Sequence, residues 1–362
     1  MTQTSPQAGA SATLLARTLA SIAPADREAQ TAAEARQLTL TKPPGALGQL
    51  EDLGNSLAAI AGACPPPVPE PAAVCVFAGD HGVHAQGVSP WPQEVTTQMV
   101  ANMLGGGAAV SVLARHVGAE LRVYDVGVAS PLPDDPTLRG RPIAPGTADL
   151  TTGPAMTADQ CATAIEAGIT AALDAVADGH RCLIPGEVGI GNTTPAAALI
   201  AVFTGRPTAE VTGTGAGADP ETLRRKIDLV TRAIARDGVR ADDPLSALAS
   251  VGGFEHAAIV GLILGGAASR VPVILDGVVS CSAALVATAF CPDALGYLIA
   301  GHAGVEPGIR AALDALSLAP VVALDMRLGE GSGALTALPI VQASAKILRE
   351  MATFDSAGVS ER

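Results

Sequence analysis

Aromatic residues are scarce in this chain: one Trp, two Tyr and five Phe make up 2% of its 362 residues. Its core must be filled by Ala, Val, Leu and Ile and by close approach of backbones, because few rings are on hand to fill gaps. Charge is also sparse, at 16%, and basic charge sparser still. Twenty-two Lys and Arg stand against 35 Asp and Glu, for a formal net charge of −13. Such a surface repels phosphate backbones, and the densest basic cluster is only Arg224, Arg225 and Lys226, so no nucleic-acid partner is expected. An anionic small substrate stays open, since helix N-termini and glycine loops bind phosphate without net positive charge. Long apolar runs are missing as well. Val278–Phe290 falls short of the roughly 20 residues that span a bilayer. The six cysteines (Cys64, Cys75, Cys161, Cys182, Cys281, Cys291) form no CxxC pair and mostly sit in apolar runs, as reduced, buried thiols would. The first residues are polar and Ala-rich, with no basic stretch leading into an apolar one. A soluble, cytoplasmic protein with no membrane partner is expected.

What is present is a regular alternation. Short apolar runs at Ala73–Ala78, Leu121–Val126, Arg181–Pro185, Val271–Leu275 and Val321–Leu324 read as buried strands. Helix-like segments fill the intervals: Gln93–His116, Ala158–Ala177, Pro195–Phe203, Glu221–Ala235, Phe254–Ser269 and Cys281–Phe290. The pattern predicts an α/β fold, a parallel Rossmann-like sheet with helices on both faces. Ser11–Ile22 and Leu47–Ala63 read as helices before a proline-rich connector, Cys64–Pro71. The expected organisation is a flexible tail over 1–9, a small helical domain from 10–70 (with an N-terminal arm) and 334–362, and a large α/β domain over 71–333.

Ligands of such sheets sit beyond the carboxyl ends of the strands. That rule gathers Gly79–Gly82 (with Asp80 and His81), Gly127, Gly186–Thr194 (with Glu187, Gly189, Gly191, Asn192 and Thr193), Asp276–Gly277 and Met326–Gly333 (with Arg327, Leu328, Gly329 and Glu330). Glu330 stands out because glycines flank it, which lets a ligand approach the backbone and makes the carboxylate a candidate proton acceptor. Read as structure alone, the same stretch is a helix start capped by Ser332, with Glu330 at the positive end of the dipole. In GEVGIGNTTP, Asn192, Thr193 or Thr194 can cap a helix, Pro195 suits its first position, and Glu187 is a second carboxylate of interest. VTGTGAG, Val211–Gly217, offers Gly213 and Gly215 as a backbone nest for phosphate. Gly105–Gly107 reads as a tight helix junction. Trp91, between two prolines, is placed to wall a pocket for a planar ligand or to make a subunit contact. Asp80, His81 and His84 invite a metal, yet no pattern of three catalytic ligands backs it. His256 and His302 are lone histidines, more often structural than ligating.

Seven segments occur in order: TKPPGALGQLE, AGDHGV, SPWPQEVTTQM, GEVGIGNTTP, VGGF, LDG and MRLGEGSG. Together they resemble the nicotinate-nucleotide–dimethylbenzimidazole phosphoribosyltransferase family, from about Thr41 to the C-terminus. The resemblance implies transfer of phosphoribosyl from nicotinate mononucleotide to 5,6-dimethylbenzimidazole, giving alpha-ribazole 5′-phosphate and nicotinate for the nucleotide loop of cobalamin. It implies a homodimer, small-molecule substrates, no cofactor and no metal. It places the catalytic base at Glu330 and a second carboxylate at Glu187, and it adds Ser89, Gln98, His302 and Gly304 to the substrate-binding positions. Two departures stand out. Gly304 in GHAGVEPG replaces a frequent serine, and GTGAG replaces a GRGTG-like loop.

The chemistry is coherent on residue grounds. A benzimidazole attacking through one ring nitrogen must lose the proton on the other, and a carboxylate can take it. The leaving pyridine departs neutral and needs no acid, while a second carboxylate can stabilise an oxocarbenium-like carbon. Two other readings compete: a metal-dependent phosphohydrolase using Asp80, His81 and His84, and a non-catalytic nucleotide- or benzimidazole-binding protein.

Overall fold

Parallel strands that are apolar on both faces need a covering layer on each side, and the intervening helices supply both. The computed structural model describes residues 12–140 and 142–360, so the tail expected over 1–9 lies outside the described residues. Strands β1 (Ala72–Gly79), β2 (Glu120–Gly127), β3 (Leu138–Gly140), β4 (Cys182–Val188), β5 (Val273–Leu275) and β6 (Leu298–Ala300) form one sheet in the order β3-β2-β1-β4-β5-β6. Every pairing is parallel. All residues of β1 are buried. The connections run outward to one side from β1 and to the other from β4, which opens a crevice beyond the carboxyl ends of these two neighbours. Phe77 stacks on Tyr124 of β2 at 5.2 Å between ring centroids. Beyond them the register shifts between Ala78 and Gly79, and the Asp80 N–H donates to the Gly127 carbonyl at 2.9 Å.

Helix starts follow local chemistry. Thr157 and Gln160 form a capping box on Ala158–Ala177, while Asp219 and Asp243 cap Pro220–Asp237 and Pro244–Val251, each with proline in the first turn. Helix Phe254–Ala268 is buried from Phe254 to Ala267. It lies so close to Ala158–Ala177 that a Cβ at Gly168 would overlap the Ala258 carbonyl, and one at Gly261 the Ile165 carbonyl. Backbone contact stands in for the missing aromatic rings.

Several boundaries differ from expectation. Gln93–His116 is two helices, Glu94–Leu104 and Ala109–Val117, because Gly106 at φ +80° turns the chain between them. Strands β3 and β6 were not expected; each is only three residues long. Val321–Leu324 does not widen the main sheet. Instead His302–Ala303 (β7) and Val322–Ala323 (β8) pair in a separate two-stranded ladder. The Val321 N–H still donates to Ala300 at the edge of β6 (2.9 Å), but at Gly301 the partner changes. Helices Arg27–Gln37, Pro244–Val251 and Pro307–Leu316 also escaped the sequence reading.

Helices Arg27–Gln37, Gln49–Ala61 and Ser332–Glu350 pack together, with a small core of Ala33, Leu40, Ala58 and Leu348. Arg36 Nε donates to the Leu348 carbonyl at 2.6 Å. The arm, helix Leu14–Ser21, lies on Ala158–Ala177 and Phe254–Ala268, and the Leu15 N–H donates to the Glu166 carboxylate at 3.1 Å. Among the described residues no helix is long and apolar enough to cross a membrane. The six cysteines are free thiols; Cys64 and Cys291 are half-buried and the other four buried.

Candidate active site

Gly329, Glu330 and Gly331 all occupy the left-handed region, with φ of 84°, 64° and 88°. Glycine adopts it freely, whereas a glutamate held there costs about 1–3 kcal/mol and persists only where the surrounding structure fixes the backbone. The turn rests on β4: a Cβ at Gly186 would overlap the Glu330 carbonyl. Ser332 is not the cap expected from the sequence. It is the first helical residue of Ser332–Glu350, and its hydroxyl donates to the Gly329 carbonyl at 2.7 Å. Capping comes instead from the end of β5, where the Asp276 carboxylate accepts from Gly331 N–H (3.2 Å) and Ala334 N–H (3.0 Å). Glu330 is 5% exposed. Its Oε2 accepts from the Val110 N–H at 3.4 Å, at the start of helix Ala109–Val117. Burial first, then the Asp276 charge, raises its affinity for a proton, while the Val110 N–H acts the other way.

Glu187 stands beside this turn, near the end of β4. A Cβ at Gly329 would overlap its Oε1. Asn192 does not cap the following helix; its Nδ2 donates to Glu187 Oε2. That helix starts at Thr193, so Pro195 is its third residue rather than its first. Burial holds the Glu187 carboxyl well above the ordinary range, and the charges of Asp276, Glu255 and Glu330 add to this against the Asn192 hydrogen bond. Buried histidines lie close to these carboxylates. His302 Nε2 lies 3.7 Å from Asp276 Oδ1. His81 Nε2 and His256 Nδ1 lie 2.7 and 2.9 Å from one Glu255 oxygen, all three side chains fully buried. The trio converges as metal ligands can. Its separations are those of direct ion pairs, and those pairs hold Glu255 below the carboxylate range despite the opposing effect of burial. Burial disfavours the charged form of His81 too, but Glu255 prevails and shifts it upward.

A second cluster lies along the chain from Asn192. Lys226 is 1% exposed, and its Nζ donates to Thr193 Oγ1 (2.9 Å) and to the Gly213 carbonyl (3.1 Å). Burial lowers it to about 8, partly offset by Glu306. The Gly215 N–H donates to Glu306 Oε1 at 2.8 Å, so a carboxylate already occupies part of the expected phosphate nest. Trp91, half exposed, is pinned to the same loop by its Nε1–H, which donates to the Ala216 carbonyl at 3.0 Å. Sequence reasoning missed Lys226, although a signal was there: it lies on the buried stripe of its helix with Leu229, Val230 and Ala233. Glu255 and His256 carry a similar signal, a charged pair opening an otherwise apolar helix.

Other expected positions fall elsewhere. Asp80 and His84 do not join His81 in a ligand set. Asp80 Oδ2 accepts from the Ala129 N–H at 2.8 Å, and His84 Nε2 lies 2.8 Å from the Trp91 carbonyl, so both brace loops. This removes the ligand set of the phosphohydrolase reading. Ser89 Oγ accepts from the Trp91 N–H at 3.2 Å. Gly189 sits against Gly79 and His81, and Gly191 turns at φ +95°. Gln98, Arg327 and Leu328 are exposed. At Gly304 a Cβ would lie 2.6 Å from Ile309 Cδ1 and 2.9 Å from the Met326 carbonyl, so this backbone has no room for the serine frequent in the resembling family.

A protein-family model described as Phosphoribosyltransferase (DBI_PRT) matches residues 22–359. The chain is 54% identical over 363 residues to the nicotinate-nucleotide–dimethylbenzimidazole phosphoribosyltransferase of Salinispora tropica, with 96% of this chain and 100% of that protein covered. It is 46% identical to the protein of the same name from Geobacter sulfurreducens, with 96% and 99% covered. The crystal structure of the Thermus thermophilus protein of that name superposes with a TM-score of 0.88 at 46% identity, over 93% of this chain and 100% of that one.

Proposed function

The chain belongs to the nicotinate-nucleotide–dimethylbenzimidazole phosphoribosyltransferase family, and we propose that Glu330 and Glu187 carry out that transfer here. The acceptor is 5,6-dimethylbenzimidazole and the donor nicotinate mononucleotide. One benzimidazole nitrogen bonds to the ribosyl C1′ as the C1′–pyridinium bond breaks, and the bonding pair returns to the nicotinate nitrogen. The proton on the other benzimidazole nitrogen passes to the Glu330 carboxylate. Attack from the face opposite the leaving group inverts the anomeric centre and gives alpha-ribazole 5′-phosphate. The observation that carries this reading is Glu330 itself: a buried carboxylate with raised proton affinity, held in a left-handed turn beside a second carboxylate.

Glu187 holds its proton tightly until positive charge arrives. The cationic ring of the donor supplies that charge, so donor binding ionises Glu187, and its carboxylate then faces the oxocarbenium-like carbon. Lys226, with Thr193 and the 213–217 loop, anchors the donor phosphate, displacing Glu306 from the Gly215 N–H. Trp91 walls the ring-binding space. Much of the remaining acceleration comes from holding two planar rings on either side of the sugar.

Residues 10–70 with 334–362, and 71–333, form the two domains in this reading, and the protein works as a homodimer in the cytoplasm. Exposed apolar side chains on the loops around the site, Trp91, Leu324 and Leu328, favour cover by a second copy. Six free thiols suit a reducing compartment. Incubation with nicotinate mononucleotide and dimethylbenzimidazole tests the function. Ribotide and nicotinate should appear in equal amounts by chromatography, without added metal and in the presence of EDTA. Binding of both substrates with no nicotinate released over hours would favour a binding protein instead.

A further inference from the structure

We propose that Asp276 is a positioning residue for the catalytic base, holding the Gly329–Glu330–Gly331 turn from the end of β5 and touching neither substrate. The sequence rule that gathers strand ends placed it among the substrate contacts. Its oxygens are already committed, however: Oδ2 to the Gly331 N–H at 3.2 Å and Oδ1 to the Ala334 N–H at 3.0 Å. The side chain is 3% exposed, and a ligand could take either oxygen only by displacing an amide of the helix start. Helix Ser332–Glu350 has no side-chain cap from its own N-cap residue, Gly331. The amides at its start therefore depend on a carboxylate 55 and 58 residues earlier in the chain. Three successive left-handed residues end at Gly331. Without that anchor, Glu330 loses the constraint that keeps it out of ordinary backbone conformations.

His302 closes the arrangement from the other side. Its Nε2 lies 3.7 Å from Asp276 Oδ1, and its ring fills the space that a Cβ at Gly333 would need. Asp276 thus clamps the turn by hydrogen bonds and also places a negative charge near both site carboxylates. The groups facing Glu330 are Asp276, Glu187 and the Val110 N–H. Those facing Asp276 are His302, Glu187, the Cys281 thiol and the amides of Gly331, Gly333 and Ala334. Removing the Asp276 charge makes Glu330 easier to ionise, whatever happens to the turn.

This inference rests on Glu330 being the base, and the two fail separately. Steady-state kinetics of Asp276→Asn, Asp276→Ala and Glu330→Gln test both. Asn keeps an acceptor oxygen and loses the charge, while Ala loses both. In Asp276→Ala kcat should fall about 10–100-fold, the scale of a misplaced catalytic group, with KM for each substrate within about twofold. In Asp276→Asn the kcat loss should be smaller, and the acid limb of kcat/KM should move to lower pH. A tenfold rise in either KM with kcat preserved would make Asp276 a substrate contact and overturn the proposal. So would an unshifted acid limb in Asp276→Asn, a readout that survives if the Ala variant fails to fold. Full turnover by Glu330→Gln would instead sink the base assignment itself.

Discussion

The two ends of the sheet hold the same kinds of ionisable groups and treat them oppositely. At the amino end, Arg122 of β2 lies 3.0 Å from Glu120 and 2.7 Å from Asp178, His180 Nε2 lies 3.0 Å from Glu120, and Arg139 lies 3.5 Å from it. Each acid there has a base in contact, and Arg122 holds the Asp178 carboxyl below its usual range. At the carboxyl end, Glu187, Glu330 and Asp276 crowd together; burial pushes all three upward, and the charge of Asp276 adds to it at Glu187 and Glu330. Glu255, in contact with His81 and His256, is held low as Asp178 is. Acids matched by a base serve structure, and acids with raised proton affinity stand where a proton has to be taken or a cation received.

The largest effect expected from this contrast is on turnover. Glu330→Gln should lower kcat by roughly 10²–10⁴-fold, the usual contribution of a positioned general base, with donor binding retained. Asp178→Asn at the opposite end should leave kcat within about twofold, as a substitution distant from the chemistry does. Initial-rate kinetics on both variants decide it. Equal losses would mean that the two ends do not differ in kind.

How much of this could be read from the sequence follows from the same physics. β1 was legible because AAVCVFAG is buried on both faces, and Glu330 because glycines isolate it at a strand-to-helix junction. β3 was not, since LRG has a single apolar residue, and β6 is a three-residue stretch that, unlike the equally short β5, no reading singled out. Pairings that close over long separations were hidden as well. Nothing local ties His81 to Glu255, Asp276 to Gly331, or Lys226 back to Thr193. The loss of the loop arginine was visible in GTGAG, but the buried lysine standing behind the loop was not recognised.

Lys226 yields the next largest effect. Hydrogen bonds to a charged partner contribute about 1.5–3 kcal/mol, so Lys226→Ala should raise KM for nicotinate mononucleotide roughly 10–150-fold, with less change for dimethylbenzimidazole. Burial lowers the lysine to about 8, so its charge is lost as pH rises through that value. Wild-type donor KM should climb between pH 7 and 9, and Lys226→Arg, which keeps its charge, should flatten the climb. A flat wild-type profile would separate Lys226 from the phosphate.

The smallest effect is a difference of sign, and it tests the contrast most directly. Glu187 holds its proton more tightly in the folded chain than in the unfolded one. Its ionisation therefore costs stability: the contribution is favourable below the ordinary carboxyl range and is lost as pH rises through the higher folded value. Asp178 is the reverse. Its folded value is lowered by Arg122, so its contribution is present above the ordinary carboxyl range and is lost as pH falls. At pH 7.5, Glu187→Gln, which keeps an acceptor for Asn192, should raise Tm by ~1–2 °C, the shift that about 1 kcal/mol gives in a chain of this size. Asp178→Asn should lower Tm. The Glu187 difference should shrink towards zero by about pH 4, where the carboxyl is neutral folded or unfolded, while the Asp178 difference should persist there and fade only as pH falls through its lowered folded value. Melting curves at pH 7.5 and near pH 4 decide the matter. A stabilised Asp178→Asn or a destabilised Glu187→Gln would mean that the acids at the carboxyl end are compensated as fully as those at the amino end, and that no unmatched charge is kept there for the reaction.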